Sequence, residues 1–114
     1  MAIKREMLER NLQEFKESAG EEFDKKRWNS AFVLYFKALT TAIDLFLLKK
    51  EGFIPSNHTQ RLELLEKKYP FFYEVLEKNF PKYRDTYQGY LEKEDVVLVR
   101  DDLDEIIEEL NKTK

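Results

Sequence analysis

A chain of 114 residues with a formal net charge of −3 has the size of one domain built around one hydrophobic core. With no cysteine and a single histidine it excludes a disulfide framework and a thiolate zinc site, and carboxylates spread along solvent faces make no metal shell, so neither metal nor cofactor is expected. Three glycines, three prolines and 38% charged residues describe a helical protein with a charged surface, while 14% aromatic residues are too many for a disordered chain.

The charge is unevenly spread. Residues 92–114 hold nine acids against four bases, so the remainder of the chain is slightly basic. That balance argues against a broad duplex-nucleic-acid surface, whose affinity comes from neutralising phosphates, but leaves room for a small basic cleft. The N-terminal MAIKREMLERN is charged throughout and has no leader-like apolar stretch. Lys37, Asp44 and Lys49 interrupt the most apolar run, so no membrane span is expected and a cytoplasmic location is.

In chain order, Leu8, Leu12, Phe15, Ala19 and Phe23 recur at spacings of four and three, predicting an amphipathic helix from about residue 3 to about 26. Trp28, Ala31, Phe32, Tyr35, Ala38, Leu39, Ala42, Ile43 and Phe46 draw a broader apolar face on a second helix ending near Glu51, and Leu34, Leu45 and Leu48 widen it. A helix apolar on so much of its circumference must be covered from several sides. Gly52 can adopt the left-handed conformation that ends it, and Ser56 and Asn57 can cap a short third helix carrying Leu62, Leu64 and Leu65. A fourth helix is predicted over about residues 71–91, kinked or restarted at Pro81, with Phe80, Tyr83, Tyr87 and Tyr90 as an aromatic stripe. The last, from about Asp95 to Leu110, carries Val96, Val99, Leu103, Ile106, Ile107 and Leu110. Short connections favour antiparallel neighbours, so the expected fold is all-α, an up-and-down bundle of four main helices plus the short third one.

Taken in order, Trp28 and Ala31, then Tyr35, Ala38 and Ala42, the Lys49-Lys50-Glu51-Gly52 helix end, and the Pro55-x-x-His58 turn form one pattern. It continues through Leu65, Arg84 with Tyr87, and the closing Ile106, Ile107 and Leu110. Over residues 5–110, as a single domain, this resembles the HEPN family, small helical domains found beside minimal nucleotidyltransferases and in prokaryotic toxin and defence proteins. Catalytic members are metal-independent ribonucleases whose motif places a His four to six residues after an Arg. Here Arg84 is followed by Asp85, Thr86, Tyr87, Gln88, Gly89 and Tyr90, with no such His. Cleavage through a 2′-hydroxyl needs a group titrating near neutral pH, which glutamine and tyrosine do not supply.

The resemblance therefore implies a non-catalytic binding or assembly module with no catalytic residue. It would be a homodimer that pairs its Arg-bearing helices, binds a nucleotide or RNA end weakly, or partners a minimal nucleotidyltransferase. The alternative is a toxin-type ribonuclease in which Arg84 works with a non-standard proton-transfer residue, namely His58. The candidate phosphate-binding set is Arg84, Tyr87, Gln88 and His58, the first three sharing a face if the fourth helix runs on past Arg84. Each also has a plainer role: Arg84 paired with Asp85, Asp44 or a C-terminal acid, the tyrosines packed in a core or interface, and Lys37, Thr41 and Asp44 forming a polar strip. Trp28, Phe36, Phe71, Phe72 and Tyr73 exceed what one small bundle should bury, which also points to a dimer.

Overall fold

Two long helices joined by a three-residue turn, α1 (Ala2–Asp24) and α2 (Trp28–Glu51), form a hairpin in the computed structural model, which describes residues 2–113. The turn closes α1 by a Schellman motif: the Arg27 amide donates to the Glu22 carbonyl and the Lys26 amide to the Phe23 carbonyl. Lys26 stands in the left-handed region at φ 60°, where glycine is the usual residue. This turn lies where the first helix was predicted to continue to about residue 26, and its charged residues give no glycine signal for the break.

The chain is all-helical, continuing through α3 (His58–Lys68), α4 (Pro70–Asp85) and α5 (Lys93–Lys112). α2 is the centre: α1, α4 and α5 all pack on it, and α3 lies on α4. Ala31, Ala38 and Ala42 are fully buried on α2, small enough to let neighbouring helices approach closely, while Phe32, Leu39, Ile43 and Leu47 fill the core between them. One sequence expectation needs correction here. By length and composition α2 is long and apolar enough to cross a membrane despite its charged residues, but 78% of its most apolar window is buried against its neighbours.

Local signals set most helix ends. Gly52 caps α2 at φ 85°, its amide donating to the Leu48 carbonyl. The Asn57 side chain accepts from the Gln60 amide to start α3, and the Gln60 side chain reaches back to the Ser56 amide at 2.5 Å. α5 starts on a reciprocal capping box between Glu92 and Asp95, two residues earlier than its apolar periodicity suggests. α4 passes through Pro81 without a break but stops at Asp85, six residues short of the predicted end.

The aromatic surplus is largely absorbed by the single chain. Phe36 and Phe72 are buried, Trp28 and Tyr73 pack against the core, and of the five only Phe71 is exposed, at 43%. α4 is tied to α5 by Asn79, whose side-chain amide donates to Asp102 and to the Val75 carbonyl, both at 2.9 Å. The end of α2 is tied to the α3–α4 junction by the Tyr69 hydroxyl, which donates to Glu51 at 2.5 Å. Burial and that carboxylate push the Tyr69 phenol up to about 12.

Candidate functional site

The ring of Phe80, on α4, is where two of the four sequence-predicted residues, His58 and Arg84, meet. His58, in the first turn of α3, stacks on it with ring centroids 4.2 Å apart and planes 25° from parallel. The Arg84 guanidinium, one turn further along α4, lies 5.3 Å from the same ring centre, within cation–π range. Two residues 26 positions apart in sequence thus share one aromatic platform.

Their surroundings differ. Beside His58, Arg61 makes a two-pronged ion pair with Asp44 of α2, Nε to Oδ1 at 2.7 Å and Nη2 to Oδ2 at 2.8 Å, with both side chains almost out of solvent. Arg61 also directs Nη1 at His58 Nδ1 across a longer 3.4 Å. A guanidinium can only donate, so Nδ1 accepts and the neutral ring carries its proton on Nε2. That atom is buried without a hydrogen-bond partner. Burial, and then the Arg61 charge, hold the His58 pKa below its ordinary value, which keeps the imidazole neutral at pH 7. The arrangement leaves no exposed ring lone pair to accept a proton.

Arg84 is exposed in the last turn of α4, and among the described residues it forms no ion pair. Asp44, one of its expected partners, is taken by Arg61. Beyond Asp85 the chain leaves the α-helix through a tightened turn, with the Tyr87 amide donating to the Arg84 carbonyl and the Gln88 amide to the Asp85 carbonyl. The turn is gripped from α2 by one side chain. Asn29 donates through Nδ2 to the Gly89 carbonyl at 2.7 Å, with the Thr86 carbonyl at 3.5 Å, and accepts through Oδ1 from the Leu91 amide at 2.8 Å. Asn29 thereby satisfies backbone groups that would otherwise continue the helix, which is why α4 ends early.

The predicted helical face of Arg84, Tyr87 and Gln88 is divided as a result. Arg84 and Gln88, with Asp85, Gly89 and Tyr90, line a groove of about 630 Å³ on one side of the turn. Tyr87 lines a second groove of about 640 Å³ on the other side, between α1, α2 and the turn, with Tyr83, Lys37 and Ser30. His58 lines neither. The aromatic stripe also divides: Phe80 and Tyr83 pack against the core, whereas Tyr87 and Tyr90 are 74% and 97% exposed. Tyr83 is stacked on buried Phe36 with centroids 4.5 Å apart, and Tyr87 meets it edge to face at 5.9 Å. Their hydroxyls lie 3.3 Å apart, a contact that raises the Tyr83 pKa.

Sequence reasoning did not single out Asn29 or Arg61. Both act through contacts far along the chain, which helical periodicity does not encode. The sequence matches no protein-family model and no curated protein.

Proposed function

We propose that the chain is a HEPN-like binding or assembly module, an up-and-down bundle of four main helices plus the short α3, that binds nucleotides or RNA ends in the cytoplasm without cleaving them. The observation that carries this reading is the state of Arg84, an exposed guanidinium with no carboxylate partner among the described residues, seated on Phe80 beside Gln88. A planar guanidinium of this kind suits phosphate oxygens. The order of sequence features over residues 5–110 supports the family resemblance. On the same reading a second copy of the chain, or a minimal nucleotidyltransferase, is the partner.

The test is equilibrium titration with adenosine monophosphate. Arg84→Ala should weaken binding about tenfold, the loss expected of one charge-assisted phosphate contact, and should flatten the salt dependence. Wild-type protein that binds no nucleotide at low salt would contradict the reading.

The alternative, a ribonuclease pairing Arg84 with His58, is favoured by one observation: both side chains rest on the Phe80 ring. It requires His58 to free a ring nitrogen. Cleavage of single-stranded RNA by the wild type and its loss in His58→Ala would establish it; an inert wild type at high enzyme concentration would remove it.

A further inference from the structure

The two grooves flank one turn, have nearly the same volume, and each falls in the size range of small-molecule sites. Each presents a cation that forms no ion pair among the described residues, Lys37 on one side and Arg84 on the other. Each also holds a carboxylate, Glu22 and Asp85; Glu22 faces Arg27 at 3.8 Å, and neither acid forms an ion pair with the cation of its groove among the described residues. Tyr87 shares its groove with Lys37 and follows Arg84 by three residues; it is exposed and backed by Tyr83, which is itself stacked on buried Phe36. An aromatic ring held from behind by the core and open in front is a stacking surface, and one cation in each groove suits the two phosphates that flank a base.

Building on the nucleotide-binding reading of Arg84, we propose that the 86–91 turn is a saddle across which single-stranded nucleic acid lies. One phosphate meets Arg84 and Gln88, the adjoining base stacks on Tyr87, and the next phosphate meets Lys37. Asn29 is the positioning residue for the saddle. Its side chain supplies three contacts to the turn, to the carbonyls of Thr86 and Gly89 and the amide of Leu91, and so sets where Tyr87 and Gln88 stand relative to the helix carrying Arg84. Val33 and Leu34, which also line the groove of Tyr87, supply apolar surface for the base. A lone nucleotide can use only one of the two cations together with the ring, so a strand should bind more tightly than a monomer.

Fluorescence titrations with a short oligoadenylate and with adenosine monophosphate test this directly. The oligomer should bind at least several-fold more tightly per site. Tyr87→Ala should lower oligomer affinity about tenfold, whereas Tyr87→Trp, which keeps a stacking face, should restore it. Lys37→Ala should weaken the oligomer and lower its salt slope while leaving the monophosphate nearly unchanged. Asn29→Ala should weaken the oligomer as well, with Tyr87→Trp rescue keeping the test sound if Asn29→Ala folds poorly. If the oligomer and the monophosphate bind equally, and only Arg84→Ala matters, then Arg84 is an isolated phosphate site and the saddle is wrong. If the wild type binds neither probe, the nucleotide reading falls and the saddle with it.

Discussion

Arg61 and Arg84 stand on either side of one story about charge. Both lie close to Phe80, Arg61 through His58 and Arg84 directly, and both belong to helices that pack together, α3 and α4. Arg61 is nearly buried, with Nε and Nη2 held by Asp44 and Nη1 turned to His58, so its charge is answered inside the molecule. Arg84 has the same guanidinium with no internal acceptor within ion-pair reach among the described residues. Identical chemistry therefore serves architecture in one place and is open to a ligand in the other. What separates them is whether a carboxylate lies opposite: of the two acids of α2, Asp44 is taken by Arg61 and Glu51 by Lys68 and Tyr69.

The largest expected effect falls on the paired side. Asp44→Ala leaves the Arg61 charge buried without its partner and should destabilise the protein by about 3 kcal/mol, read from urea denaturation midpoints at pH 7. A loss near zero would mean that Arg61 finds solvent easily and that the two arginines are not different in kind. Replacing both residues, as Asp44→Leu with Arg61→Met, should recover much of the loss, because it removes the stranded charge along with its partner.

A smaller effect concerns His58, which bridges the two arginines. Its pKa is lowered in the folded protein, so on acidification the unfolded chain takes up the proton before the native one does. As far as His58 is concerned, stability should thus be level from the ordinary histidine value of 6.5 up to the tyrosine range and fall as pH drops below 6.5. The carboxylates with lowered pKa values, Glu51 and Asp95, add their own loss only below their ordinary values of 4.5 and 3.8. Between those ranges the slope belongs to His58, and His58→Phe, which keeps a ring on Phe80, should flatten it. An unchanged slope in that variant would place the titrating group elsewhere. Smallest of all, Arg84→Ala should change stability by no more than about 1 kcal/mol, the worth of an exposed cation–π contact.

The paired half of the comparison was only partly legible in the sequence. Asp44 could be seen to share a polar strip with Lys37 and Thr41 on an otherwise apolar helix, and Thr41 does return its hydroxyl to the Lys37 carbonyl at 2.7 Å. That Arg61 answers Asp44 is a fact of how α3 lies over α2, which periodicity does not encode. Helix ends divide in the same way. α2 begins at Trp28 and ends at Glu51 as predicted because Gly52 is a local signal, and α3 begins after its Asn57 cap for the same reason. The end of α4 was misplaced because it is decided by Asn29, about 60 positions away, whose side chain competes for the backbone groups of the turn. That error carried into the site: with the helix ended at Asp85, Tyr87 faces a different groove from Arg84 and Gln88.

The contrast between the two arginines can be read in a single experiment. With the arginine side-chain Nε–H resonances assigned, titration with adenosine monophosphate should shift the Arg84 signal in a saturable way and leave the Arg61 signal in place, since its Nε–H is already held by Asp44 at 2.7 Å. A shift at Arg61 with none at Arg84, or saturable shifts at neither, would contradict the division of roles proposed for them.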